Sequence, residues 1–245
     1  MEQLINLIDK LKFKGIAKCV EQTITQAQRE GIAIQDVLLQ LLEAEYQHRK
    51  EQALNYRFKQ AKIPWNWTLD TFPFTKQPGL NKMQIMSLAK LDFIQKNENI
   101  IFIGSTGTGK TGLAIGILNL ALINGYRGRF YNAQELLDEL YTSLADKSTS
   151  RLLKQIANYD LLIIDELGYL TLEEEQVNIF FKLIDMRYSH KPTIITTNLA
   201  YPAWYDIFKN NDLVDAMLDR LKHYSTTIKI TGDKSLRDPV SSVKS

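Results

Sequence analysis

Residues 100–111 read Ile-Ile-Phe-Ile-Gly-Ser-Thr-Gly-Thr-Gly-Lys-Thr, an apolar run that leads directly into a glycine-rich loop. From Gly104 through Ser105, Thr106, Gly107, Thr108, Gly109, Lys110 and Thr111 the loop matches GxxxxGK[ST] at every fixed position. Glycines at this spacing let successive backbone N–H groups turn inward around phosphate oxygens. The helical run from Leu113 to Leu122 would add the positive end of its dipole. Lys110 is then placed to reach the β- and γ-phosphates of a nucleotide, and the Thr111 hydroxyl to hold Mg²⁺.

Outward from the loop, short apolar runs alternate with helical stretches. Ile100–Ile103, Gly128–Asn132, Leu161–Ile164, Thr193–Thr197 and Thr227–Ile230 are the runs. Continuous apolar strands separated by helices predict a five-stranded parallel sheet flanked by helices on both faces, an α/β nucleotide-binding class. In such sheets ligands bind at the C-terminal strand ends, so polar residues there are candidates. Leu161-Leu-Ile-Ile164 ends in Asp165 and Glu166, and Thr193–Thr197 ends in Asn198. Asp165 is expected to join Thr111 in the Mg²⁺ shell. Glu166 suits a general base for the attacking water. The Asn198 amide can bond both the γ-phosphate and that water; helix capping is its plainer alternative.

Residues 1–62 contain no proline and recur apolar at Leu4, Leu7, Ile8 and Leu11, which predicts a small helical domain. Gly15 and Gly31 punctuate it into two shorter helices and a long one from about Ile34 to Lys62. Residues 63–80 mix Pro64, Pro73, Pro78 and Gly79 with Trp65, Trp67, Phe72 and Phe74, an irregular linker pinned by aromatic packing. Residues 81–245 form the α/β domain. Arg49, Lys50, Arg57, Lys59 and Lys62 make a local basic run interleaved with Tyr46, Tyr56 and Phe58. A solvated helix face or a phosphate-neutralising DNA contact both fit that run.

The chain has 245 residues, 30 Lys and Arg against 28 Asp and Glu, and 44% apolar residues. That composition excludes disordered, collagenous and disulfide-stapled proteins. The single cysteine, Cys19, allows neither an intramolecular disulfide nor a cysteine metal site, and a reducing, cytoplasmic setting is expected. Glu2 and Asp9 do not suit a signal peptide, and no apolar stretch approaches the ~20 residues of a membrane span.

The order of phosphate loop, Asp-Glu strand, Thr-Thr-Asn strand and Leu218-Asp-Arg-Leu221 resembles the AAA+ P-loop ATPases of the initiator and helicase-loader branch. Phe72-Pro-Phe74, Gln77-Pro-Gly-Leu80, Asp165-Glu-Leu-Gly-Tyr-Leu170 and Ala216-Met-Leu-Asp-Arg-Leu221 are similar to the IstB-like ATPases that assist the IstA transposase of bacterial insertion sequences. The resemblance implies an ATPase with Mg²⁺, ATP-dependent self-association on double-stranded DNA, target-site selection and a partner transposase. It also implies that Arg220 is a trans-acting arginine finger, with Arg187 the rival. Only about fifteen residues follow Ile230, so the helical lid of many AAA+ proteins is expected to be reduced or absent. Ser235-Leu-Arg237 resembles the family's Ser-aromatic-Arg ending with Leu236 in the aromatic place; Arg237 is a candidate second sensor.

A replicative helicase loader, with single-stranded DNA as ligand, is the nearest alternative. A small-molecule kinase is disfavoured by Glu166 beside Asp165. A nucleotide switch without hydrolysis is disfavoured by Glu166 and Asn198.

Overall fold

A computed structural model describes residues 1–168, 172–208, 210–231 and 235–236. The chain forms two compact units, Met1–Arg57 and Phe58–Ser245, which divide ahead of the Lys62 boundary expected from sequence. The first unit contains α1 (Glu2–Lys10), α2 (Lys14–Ala17), α3 (Val20–Glu30) and most of α4 (Ile34–Ala61). The extra short helix α2, not expected from the periodicity, follows a left-handed residue at Lys12, φ 57°.

Gly15 explains the tight packing of this unit. A Cβ there would lie 2.5 Å from the Ala44 carbonyl oxygen, so only glycine lets α2 approach α4. The Gly15 N–H donates to Glu45 Oε2 at 2.6 Å, which satisfies an orphan donor of the α2 N-terminus. Arg49 donates to Glu45 Oε1 at 2.7 Å. That bond first, then the backbone N–H groups of Gly15 and Ile16, hold the Glu45 carboxyl below its ordinary range. Ile8, Ile16 and Val20 form the small core.

In the second unit, α5 (Lys82–Leu88) and α6 (Asp92–Gln95) lead into β1 (Asn99–Gly104) and α7 (Lys110–Ile123). Then follow β2 (Gly128–Asn132), α8 (Ala133–Thr142), α9 (Thr149–Ala157), β3 (Leu161–Asp165) and α10 (Glu174–Arg187). The described elements end with β4 (Thr193–Thr197), α11 (Trp204–Phe208), α12 (Asn211–His223) and β5 (Ser225–Ile230). The five strands are parallel in the order β2-β3-β4-β1-β5.

Alternation along the strands divides two cores. Ile101, Ile103, Leu162, Ile164 and Ile195 face one layer, packed with α8, α9, α10, α11 and α12. Ile100, Phe102, Ile163, Ile194 and Ile228 face the other, packed with α5, α6, α7 and residues from the 58–80 stretch. Both faces are covered, which is why the strands read as unbroken apolar runs rather than alternating ones. Helix α7 is buried nearly all round, as a central helix must be.

The aromatic stretch docks on α7 through small residues. Added Cβ atoms would lie 3.0 Å from the Trp67 ring at Gly112 and 2.7 Å from the Leu69 side chain at Gly116. One helical turn apart, these two glycines open a groove for the chain. Asn119 Nδ2 then donates 2.6 Å to the Trp67 carbonyl and pins it.

Arg187 is spent on the fold. At 2% exposure it donates to the carbonyls of Ile156, Ala157, Tyr159 and Pro192 and to the Thr193 hydroxyl. It thereby caps the C-terminus of α9, where carbonyls and the helix dipole both favour a cation. Burial pushes its guanidinium down to about 9, opposed by Asp160, so it remains charged at neutral pH. A side chain so enclosed is committed to contacts within the chain, unlike the exposed arginine that a trans-acting finger requires. Arg187→Met is expected to cost about 3 kcal/mol or more in urea unfolding, because it strands several buried acceptors. Arg187→Lys should recover little, since an ammonium lacks the five-donor planar fork.

Candidate nucleotide-binding site

The loop between β1 and α7 takes the shape its glycines permit. Gly107 and Gly109 have φ of +83° and +93°, conformations that side chains rarely adopt. Contacts tighten the requirement. A Cβ at Gly109 would sit 2.7 Å from the Phe72 ring, so the Phe72-Pro-Phe74 stretch packs onto the loop itself. Thr108 Oγ1 closes the turn on the Ser105 carbonyl at 2.8 Å. Lys110 Nζ donates to the Gly104 and Ser105 carbonyls at 2.8 and 2.9 Å, an ammonium held over the loop at the N-terminus of α7.

Asp165, at the end of β3, joins three elements. Thr111 Oγ1 on α7 lies 2.9 and 3.1 Å from its two carboxylate oxygens. Thr196 Oγ1 on β4 donates to Oδ1 at 2.6 Å. Burial, the largest effect, raises the Asp165 carboxyl above its ordinary 3.8; the Thr196 and Thr111 hydrogen bonds oppose this, Glu166 adds to it, and Lys110 opposes it. Thr196 Oγ1 also accepts the Glu166 N–H at 2.9 Å. That bond helps hold Glu166 at φ +60°, a strained left-handed conformation for a side-chain-bearing residue.

Beside Glu166, a cleft of about 240 Å³ is lined by Thr106, Lys110, Thr111, Glu166, Asn198 and Trp67, among others. Asn198 lies across Gly168, where a Cβ would come within 2.3 Å of Asn198 Oδ1; this accounts for the glycine in the Asp-Glu-Leu-Gly stretch. Tyr169, Leu170 and Arg237 lie outside the described residues. Ser235 and Leu236 do meet the loop: the Leu236 N–H donates to the Gly107 carbonyl at 2.8 Å, and Leu236 lines the cleft.

The structure therefore gathers Gly104–Thr111, Asp165, Glu166 and Asn198 at one sheet edge. Arg220 is not among the described residues lining that cleft; it pairs with Asp185 at 2.7 Å on the helical layer. The basic run is dispersed. Arg49 is engaged with Glu45, Lys50 and Lys59 are exposed, Arg57 is half-buried, and Lys62 lines a second cavity with Arg129, Asn132 and Glu166.

Three residues escaped the sequence reading. Asn132 ends β2 beside Asp165, and its Nδ2 donates 3.3 Å to Glu166 Oε2. It carries the same signal as Asn198, a polar residue closing an apolar strand at this edge. Thr196 stood in the Thr-Thr-Asn stretch, but the two hydrogen bonds of its hydroxyl, one donated to Asp165 and one accepted from Glu166, are visible only in three dimensions. Trp67 seemed a linker aromatic, and packing on Gly112 puts it in the cleft.

A family profile described as IstB-like ATP binding protein matches residues 6–242. The chain belongs to this family. It is 35% identical over 233 residues to the ATP-binding protein of insertion sequence IS21 from Pseudomonas aeruginosa, covering 95% of this chain and 88% of that protein. It is 33% identical over 231 residues to the corresponding IS232 protein of Bacillus thuringiensis subsp. berliner, covering 94% and 92%. Among solved structures it is similar to the DnaC helicase loader, at 26% identity and TM-score 0.58, covering 70% of this chain and 100% of that one. AMPPCP-bound DnaA from Aquifex aeolicus shares the fold at TM-score 0.57 and 22% identity, covering 71% and 53%. The fold is that of AAA+ P-loop proteins. No helix among the described residues of this IstB-like chain is long and apolar enough to cross a membrane.

Asp165 yields a signed expectation. Its raised carboxyl means that folding disfavours the charged form, so the penalty stands above the folded value and is relieved as pH falls through it. Asp165→Asn should therefore raise the melting midpoint of the protein at neutral pH, and that gain should shrink as acidification protonates the unsubstituted carboxyl. Gly168→Ala should displace the Asn198 amide and destabilise the protein by about 1–3 kcal/mol in urea unfolding, because the added methyl has no room beside Asn198 Oδ1.

Proposed function

We propose that this chain is a Mg²⁺-dependent ATPase that assembles on double-stranded DNA and assists a transposase in target-site selection and insertion. The observation that carries the ATPase reading is the juxtaposition of Lys110, Thr111, Asp165 and Glu166 at one sheet edge. Lys110 would exchange its two carbonyl partners for the β- and γ-phosphate oxygens. Thr111 and Asp165 supply hard oxygen donors already in contact, the chemistry Mg²⁺ prefers. The ion would neutralise charge developing on the transferred phosphate.

Glu166 then orients and deprotonates the attacking water. Asn132 holds one carboxylate oxygen from the side, and Asn198, half-buried in the same cleft, would bond the γ-phosphate and that water. Arg220, which does not line its own cleft, would complete the site of an adjacent subunit. This makes self-association part of catalysis.

The insertion-sequence relatives match about 95% of the chain, helical first unit included, and the family profile spans residues 6–242. Those matches support a transposition helper over a helicase loader. For DNA, exposed Lys50 and Lys59 are better placed than Arg49, whose charge is already paired. Phosphate contacts of this kind predict strongly salt-dependent, weakly sequence-specific binding.

Hydrolysis should be slow in dilute protein, rise with concentration, and be stimulated mainly by long duplex DNA. Stimulation mainly by single strands would instead favour the helicase loader. Glu166→Gln should lower turnover about 10²–10⁴-fold while leaving ATP binding intact. Fluorescence of Trp65 and Trp67, which line the cleft, reports that binding separately. An Ala substitution at Arg220 that leaves the assembled rate unchanged would remove the composite site.

A further inference from the structure

Arg220 is held in a particular pose within its own chain. Its Nε donates 2.7 Å to Asp185 Oδ1 on α10, and its Nη1 donates 2.9 Å to the Ala216 carbonyl one turn back on α12. The guanidinium carbon lies 4.8 Å from the Phe181 ring centre and 6.0 Å from that of Tyr188. Tyr188 is itself anchored by a 2.7 Å hydrogen bond between its hydroxyl and His223 Nδ1. The inner nitrogen and one terminal nitrogen of the fork are therefore occupied, and its carbon lies against aromatic rings. The Nη2 edge lies outside these contacts.

We propose that Asp185 is a positioning residue that presents Arg220 to the nucleotide of an adjacent subunit, with the Phe181 ring as its rest. This rests on the trans role of Arg220 proposed above. The pattern of contacts argues for orientation rather than sequestration. A carboxylate that sequestered the arginine would take two of its nitrogens as a bidentate pair. Asp185 engages Nε alone, and with Nη1 on the Ala216 carbonyl the Nη2 group is the part of the fork turned to neither partner.

Packing does not need the pair. The contact between α10 and α12 is already made by buried Phe180, Leu183, Val214, Met217 and Leu221. Asp185 is half exposed, and an exposed ion pair contributes little to stability. What the pair does supply is order. An arginine has several rotatable bonds, and fixing them before assembly removes an entropic cost from the catalytic step.

The test uses the full chain on long duplex DNA, above the protein concentration that saturates turnover. Asp185→Ala is expected to lower kcat about ten- to a hundredfold. The KM for ATP and the melting midpoint should stay close to those of the unsubstituted protein. Asp185→Asn keeps an oxygen acceptor for the Nε–H and should restore most of the rate. Arg220→Ala, in parallel, should lose about 10³-fold or more.

The proposal fails if Asp185→Ala turns over as fast as, or faster than, the unsubstituted chain. It also fails if Asp185→Asn is as slow as Asp185→Ala, or if the rate loss accompanies a fall in melting midpoint. Full activity in Arg220→Ala would overturn the trans reading beneath it, a result distinguishable from failure at Asp185 alone.

Discussion

One buried carboxylate organises the site. Asp165 accepts hydroxyl hydrogen bonds from Thr111 on α7 and Thr196 on β4 while sitting at the end of β3. Three elements distant in sequence thus converge on one charge that the fold partly desolvates. Burial raises its carboxyl, and the hydrogen bonds from Thr196 and Thr111 offset that only in part. Perturbed carboxylates of this kind concentrate where proteins act. Thr196 links the same carboxylate to the backbone of Glu166, so the two adjacent acids share one hydroxyl.

The scaffold around that charge is divided by task. On one sheet face, α7 is enclosed by apolar neighbours and carries the loop at its N-terminus. Gly112 and Gly116 give up side-chain volume so that the aromatic stretch can lie against α7, and Phe72 supports Gly109 from behind. The loop is therefore buttressed by residues that precede it by some forty positions. On the other face, Arg187 fastens α9 to β4 from the end of α10. The two arginines of the helical layer differ in their surroundings: Arg187 is enclosed by carbonyl acceptors, while half-buried Arg220 lies over an aromatic ring.

Much of this was legible before any coordinates. Phosphate chemistry demands N–H groups facing inward and a lysine at a fixed offset, so Gly104–Thr111 identifies itself. A sheet covered on both faces demands unbroken apolar strands, and five such runs stand in the sequence. Strand ends at the ligand edge carry polar side chains, which marks Asp165, Glu166 and Asn198. These features are local or periodic, and local features survive translation into a string of letters.

Other features depend on distances between residues far apart in the chain. Whether Arg187 or Arg220 is available depends on what surrounds each, and the two look alike in a helical sequence. Arg49 stands in a basic run, yet its partner is Glu45 one turn away, itself committed to Gly15. Thr196 acquires its role from two bonds reaching back some thirty residues, and Trp67 from packing on a glycine. The sequence by itself determined the phosphate chemistry, the parallel sheet and the order of its strands' functional ends, because backbone geometry and hydrophobic burial act residue by residue. The tertiary structure decided which side chains are already satisfied, since a hydrogen bond or an ion pair spends a group that composition counts as free.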